Sequence, residues 1–94
     1  MKVHILKTWP VFFWDVSTGA KTFEIRKNDR GFQVGDELIL QEYDPISKQY
    51  SGEELRVSVT YTVHFDGVPD MPMGMIGMSI ELVEKEAQDE QTTD

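Results

Sequence analysis

Leu55-Arg56-Val57-Ser58-Val59-Thr60-Tyr61-Thr62-Val63 decides the fold class of this 94-residue chain. Apolar side chains take every second position, and Arg56, Ser58, Thr60 and Thr62 fill the alternate ones. Successive side chains of a strand point to opposite faces, so the stretch reads as a half-buried strand of an antiparallel sheet. Just before it, Glu37-Leu38-Ile39-Leu40-Gln41-Glu42-Tyr43 is the most strand-like run in the chain. Ile39 between Leu38 and Leu40 predicts a strand covered on both faces for part of its length. Residues 44–52 form a polar hairpin connection, longer than a two-residue turn, with Tyr50 near its exit. Beyond the alternating stretch, Gly67, Pro69 and Pro72 punctuate a loop over residues 66–74, and residues 75–82 close the fold with Met78, Ile80 and Leu82 alternating.

Towards the N-terminus, His4-Ile5-Leu6-Lys7 reads as a short first strand. Thr8 is placed to cap a helix whose first turn tolerates Pro10, because that position has no intrahelical partner for its N–H. Trp9, Phe12, Phe13 and Val16 recur at i, i+3, i+4 and i+7, which predicts one core-facing stripe on a helix of about two and a half turns. Trp14 lies off that stripe, and Gly19 supplies a left-handed stop. In the strand that follows, Phe23 and Ile25 point one way while Thr22, Glu24 and Arg26 point the other. Asn28, Asp29 and Gly31 make a turn-rich link, and Gly35-Asp36 is a tight structural entry into the next strand. Five short strands, one helix near the start and a long antiparallel hairpin predict a mainly β (α+β) fold. The form they suit is a small, partly open β-barrel whose closure deals with its sheet edges.

Ninety-four residues with ten aromatics are enough for one domain with a single core. The absence of cysteine excludes disulfides and thiol chemistry, and two histidines without cysteine partners argue against a zinc site. Neither a metal nor an organic cofactor is expected. Lys2 and Lys7 ahead of Val11-Phe12-Phe13-Trp14 resemble a signal peptide only superficially, since Pro10 and Asp15 bound an apolar run that is too short. No stretch approaches the roughly 20 apolar residues of a membrane span, so the expectation is a soluble, cytoplasmic monomer. The net charge of −8 is uneven. Residues 48–94 carry three basic and ten acidic side chains, and residues 84–94 hold five acids, one lysine and no aromatic. The domain is therefore expected to end at residue 83, with 84–94 an acidic, disordered tail.

Against that acidity, four of the nine basic residues fall between positions 21 and 30, opposed only by Glu24 and Asp29. Glu24 and Arg26 share a strand face, so they either pair with each other or reach a ligand together. Arginine offers planar donors to a phosphate or a base edge, and glutamate accepts from exocyclic amines. Lys21 adds a point charge at the start of the strand, and Arg30 is a candidate second phosphate contact. The plain alternative is a set of solvated surface ion pairs worth about 0–1 kcal/mol.

Gly19-x-Lys21-Thr22-x-Glu24-x-Arg26, then Asn28-Asp29-Arg30 and Val34-Gly35-Asp36, resembles the signature of the ASCH domains, relatives of the PUA fold. His4-x-Leu6-Lys7 and Leu40-x-Glu42-Tyr43-Asp44 are similar to a compact, single-domain branch found in phages and bacteria, so the resemblance runs from residue 4 to about 82. It implies a PUA-like barrel and binding of RNA or a modified nucleotide in a cleft beside the first helix, lined by Lys21, Glu24 and Arg26. One branch hydrolyses an amide on acetylated cytidine with a lysine, a threonine and a downstream glutamate. Lys21 matches the lysine, Glu24 stands at the threonine's position, and the downstream acid has no counterpart. The expected function is thus an RNA- or nucleotide-binding module contacting its ligand through Lys21, Glu24, Arg26 and Arg30. The alternatives are a small amidohydrolase on a modified nucleoside, with Lys21 its catalytic candidate, and a protein-interaction module of phage origin.

Overall fold

A computed structural model describes residues 1–83 of the chain. The expected acidic tail, 84–94, lies outside the described residues. The element order is β1 (Val3–Thr8), α1 (Pro10–Ser17), β2 (Phe23–Lys27), β3 (Glu37–Asp44), β4 (Gln49–His64) and β5 (Met75–Leu82). All five strands join one sheet in the order β1-β3-β4-β5-β2. Only β1 and β3 run parallel, which α1 and β2 make possible by supplying the long crossover that parallel neighbours need. The other three pairings are antiparallel. The sheet curls into a half-barrel, the small, partly open β-barrel with one N-terminal helix that the strand pattern implied.

Leu6, Val16, Phe32, Leu38, Leu40, Val57, Val59, Ile76, Met78 and Ile80 form the core on the concave face. Leu38 and Leu40 are wholly buried, whereas Ile39 is half-covered, as expected of an interior strand of a curled sheet. The alternation in β4 holds only as far as Val59. An irregularity between Val59 and Tyr61 shifts the pairing with β5, and one extra residue inverts which face every later side chain takes. Tyr61 and Val63 therefore stand on the outer surface, not on the side of Val57 and Val59. The hairpin between β3 and β4 is tighter than its composition implied. Asp44 Oδ1 accepts from the Ile46 N–H at 2.8 Å, the Lys48 N–H bonds the Asp44 carbonyl at 2.7 Å, and Tyr43 already pairs with Tyr50.

The helix departs from expectation in its cap and in its face. Trp9, in extended backbone, is the N-cap without a side-chain hydrogen bond, and Pro10 takes the first helical position. Thr8 is instead the last residue of β1. Only Phe13 and Val16 are buried; Trp9 and Phe12 are about half exposed. Eight residues offer little more than two turns, and two side chains at i and i+3 already fill the line that meets the sheet. Gly19, at φ +85°, ends the segment where an L side chain would be strained.

Candidate functional site

The floor of the site is β2, and its alternation is turned inside out relative to ordinary burial. Phe23 and Ile25 face outward, each about half exposed, while Glu24 faces inward with only 3 % of its surface accessible. A buried carboxylate is costly unless it is paired, and Glu24 is paired twice. Lys21 Nζ donates to Oε2 at 2.6 Å and Arg26 Nε donates to Oε1 at 2.9 Å. Lys21 also donates to the Phe23 carbonyl, and Arg26 Nη2 donates to Thr8 Oγ1 at 3.3 Å. That last bond matters for the architecture, because Thr8 ends one edge strand of the sheet and Arg26 belongs to the other.

Between those two edges lies a cleft of about 400 Å³, lined by Lys7, Thr8, Trp9, Phe12, Lys21 and Phe23 to Arg26. This is within the roughly 300–1,000 Å³ usual for small-ligand sites. Trp9 and Phe12 stack with ring centroids 6.3 Å apart and planes 18° from parallel. The Lys21 ammonium sits 5.8 Å from the Phe12 ring centre and 5.0 Å from that of Phe23. Phe12 owes this place to the turn of the short helix: the half of its stripe that does not reach the core becomes a cleft wall.

The triad of Lys21, Glu24 and Arg26 carries a net charge of +1, and its donors are not spent. Lysine has three N–H groups and arginine five. Among the described residues, two donations are recorded from each side chain. The cleft thus offers a planar apolar wall and a cationic floor with N–H groups to give. That combination can stack a flat ring and hold an anionic or carbonyl oxygen beneath it.

Lys21, Glu24 and Arg26 are therefore gathered as the sequence reading implied, but Arg30 is not. Its Nη1 donates to the Ile5 carbonyl at 3.0 Å on the edge of β1, and its Nε lies 4.0 Å from Asp29. It caps a free backbone acceptor of an edge strand and is absent from the cleft lining. Asn28, not Asp29, orders the link, by accepting from the Phe32 N–H at 3.1 Å. His4 stands apart from the cleft. Its Nε2 bonds Asp36 Oδ2 at 2.9 Å, and its ring meets Phe32 edge-on at 4.7 Å. Burial pushes the Asp36 carboxyl up, but His4 and the backbone N–H groups of Lys2 and Gln33 outweigh it, and the group ends below its ordinary 3.8. This cluster pins the start of β1 to the start of β3 and is structural. Among the described residues no group of three or more His, Asp or Glu gathers to hold a metal ion, and no helix is long and apolar enough to cross a membrane.

Sequence reasoning missed Thr8, Trp9 and Phe12 as cleft residues. The available signal was Pro10: as the first helical residue it leaves Trp9 ahead of the helix, so the stripe cannot carry all four of its residues to one core.

Residues 3–80 match the family model described as Domain of unknown function (DUF3850). No curated protein matches the chain. Among solved structures, the crystal structure of the hypothetical protein PH0355 superposes with a TM-score of 0.59 at 18 % identity, covering 88 % of this chain and all of the other. At that identity the likeness is one of fold.

Proposed function

This chain belongs to the DUF3850 family, and we propose that it is a binding module for single-stranded RNA or a nucleotide, held in the cleft between β1 and β2. One observation carries the proposal: an exposed, stacked Trp9–Phe12 pair stands over a buried carboxylate that holds Lys21 and Arg26 with donors to spare. Exposed aromatic planes cost stability unless something covers them, and every nucleobase has a face that can. Stacking of one base on such a platform is worth about 1–3 kcal/mol and tolerates any base. The cations beneath it are suited to phosphate or to an exocyclic carbonyl. The half-barrel form and the spaced residues from Gly19 to Asp36 also support an ASCH-like, PUA-related reading, in which this face carries the ligand.

Binding is favoured over hydrolysis. Glu24 occupies the position where the hydrolytic branch has threonine, and it is fully engaged as the acceptor of a double ion pair. Lys21 serves there as a donor to a carboxylate and a carbonyl, so the triad reads as an anchored platform.

A chemical-shift titration of the full chain with a six-nucleotide oligouridylate at low salt tests the proposal. The Trp9 indole and the Lys21 and Arg26 amides are expected to shift. With Lys21 and Arg26 each meeting one phosphate, affinity should fall with salt at a log–log slope of about −1.4. Lys21→Ala should flatten that slope, and Trp9→Ala should weaken binding about 5- to 100-fold. Absence of shifts at low salt, or binding untouched by both substitutions, overturns it.

A further inference from the structure

We propose that the cleft takes the end of a strand, not its middle, and that this end carries a terminal phosphate monoester set against Arg26. This rests on the reading of the cleft as an RNA or nucleotide site and adds which part of the strand enters it.

The first ground is that the gap between the edges is closed from one side. β1 runs parallel to β3, and the pairings from β3 through β4 and β5 to β2 are all antiparallel, so β2 runs opposite to β1. Moving towards the start of β1 is therefore moving past the end of β2. Along that direction two side chains cross the gap in succession. Arg26 Nη2 donates to Thr8 Oγ1 at 3.3 Å, and further on Arg30 Nη1 donates to the Ile5 carbonyl at 3.0 Å. The cleft lining stops at the first of these ties: it takes Lys7 and Thr8 from β1 and nothing beyond Arg26 from β2. The open length lies on the other side of the tie, beside Trp9 and Phe12 of the helix segment. A strand laid along the whole gap would have to break both ties, whereas a strand end needs to break neither.

The second ground is what stands at the closed end. Arg26 gives one N–H to Glu24 and one to Thr8 among the described residues, which leaves three of its five for a ligand. It can bind an anion without leaving either partner. Both oxygens of Glu24 are taken up by Lys21 and Arg26, so the carboxylate fixes the two cations while its own charge is offset. The lining as a whole carries Lys7, Lys21 and Arg26 against Glu24 alone, a net +2. A terminal phosphate monoester brings a charge of about −1.5 to −2 and three strong acceptor oxygens. An internal phosphodiester brings a single negative charge and two free oxygens. The planar fork of arginine suits the monoester, and the Trp9–Phe12 pair nearer the mouth is left for the base attached to it.

Titration of the full chain with oligouridylates that differ only at their ends tests the inference. Hexamers phosphorylated at the 5′ end or at the 3′ end distinguish the two sources of a terminal monoester. At least one of them should bind about 10- to 100-fold more tightly than the hexamer with hydroxyls at both ends, the range expected of hydrogen bonds to charged groups. A closed circle of twelve uridylates, which has no end, should bind no more tightly than the hydroxyl-ended hexamer. Arg26→Gln should abolish the gain from the terminal phosphate. Phe12→Ala should weaken every linear form by a similar factor and leave that gain intact. The comparison of ends is made on the native chain, so it decides the matter even if Arg26→Gln fails to fold. Equal affinity for phosphorylated and hydroxyl-ended hexamers, or a circle that binds as tightly as the better phosphorylated one, overturns the inference and leaves the RNA reading in place. A gain that survives Arg26→Gln overturns the placement of the phosphate. Absence of shifts with every oligonucleotide overturns the RNA reading and the inference together.

Discussion

Two buried carboxylates, Glu24 and Asp36, do different work at different ends of the same sheet. Asp36 accepts from the backbone N–H of Lys2 at 3.0 Å and of Gln33 at 3.1 Å, and from His4. Asp36→Asn leaves one oxygen for three donors and should cost about 2–3 kcal/mol at neutral pH. The effect should depend on pH in a defined direction. The folded-state pKa lies below the ordinary 3.8, so the carboxylate's contribution is full above about 3.8 and is lost as pH falls through the lower folded value. Denaturant midpoints of the native chain and of Asp36→Asn should therefore differ at pH 6 and converge towards pH 2. A gap that stays constant or widens on acidification would show that the carboxylate is not the stabilising form. At this scale the sequence was only partly legible. That Glu24 and Arg26 share a face follows from strand geometry. That this face is the buried one does not, because alternation predicts Phe23 and Ile25 inside. The His4–Asp36 bond, 32 positions apart, has no local signal at all.

Among the elements, α1 shows most clearly where periodicity misleads. Phe12 and Phe13 are adjacent and chemically identical, yet the first is 44 % exposed and the second 6 %. Phe13→Ala should cost about 3–5 kcal/mol by opening a cavity against the sheet. Phe12→Ala should cost about 1 kcal/mol or less, because much of its ring is already in water. In the oligouridylate titration the ranking should reverse for affinity. Phe12→Ala should weaken binding several-fold, and Phe13→Ala should leave it unchanged wherever the protein is folded. Equal stability losses from both would return Phe12 to the core and remove one cleft wall. The apolar positions of this helix were legible, but their division between core and cleft depends on where β1 and β3 sit. β4 presents the same difficulty: its nine-residue alternation reads as one face, and the shift after Val59 that splits it leaves no mark in the residue types.

At the scale of the whole molecule, five strands and one helix could be counted in the sequence, whereas the strand order β1-β3-β4-β5-β2 could not, since no local pattern names a strand's neighbour. That order leaves β1 and β2 as the two edges, and the half-barrel turns them towards each other. On the sides turned towards the gap, the bonds among the described residues come from side chains: Arg26 to Thr8 across the gap, Arg30 to the Ile5 carbonyl, and Lys21 to the Phe23 carbonyl. The backbone directions follow. The Glu37 N–H bonds the Lys2 carbonyl, so the even-numbered residues of β1 face β3 and the odd ones face the gap. In β2 the Thr22 carbonyl and the Asn28 N–H both bond towards β5, so there too the odd residues face the gap. Hydrogen exchange should therefore alternate along both edges. The amides of Ile5, Lys7, Ile25 and Lys27 should exchange quickly, while those of His4, Leu6, Glu24 and Arg26 should be protected at least about 100-fold more, as paired strand amides are. The same alternation gives the open edge its use, because the gap-facing N–H of Ile25 adds a donor to a cleft already rich in them. Strong protection at all the odd positions would mean that β1 and β2 pair directly, the barrel closes, and there is no cleft for a ligand to enter.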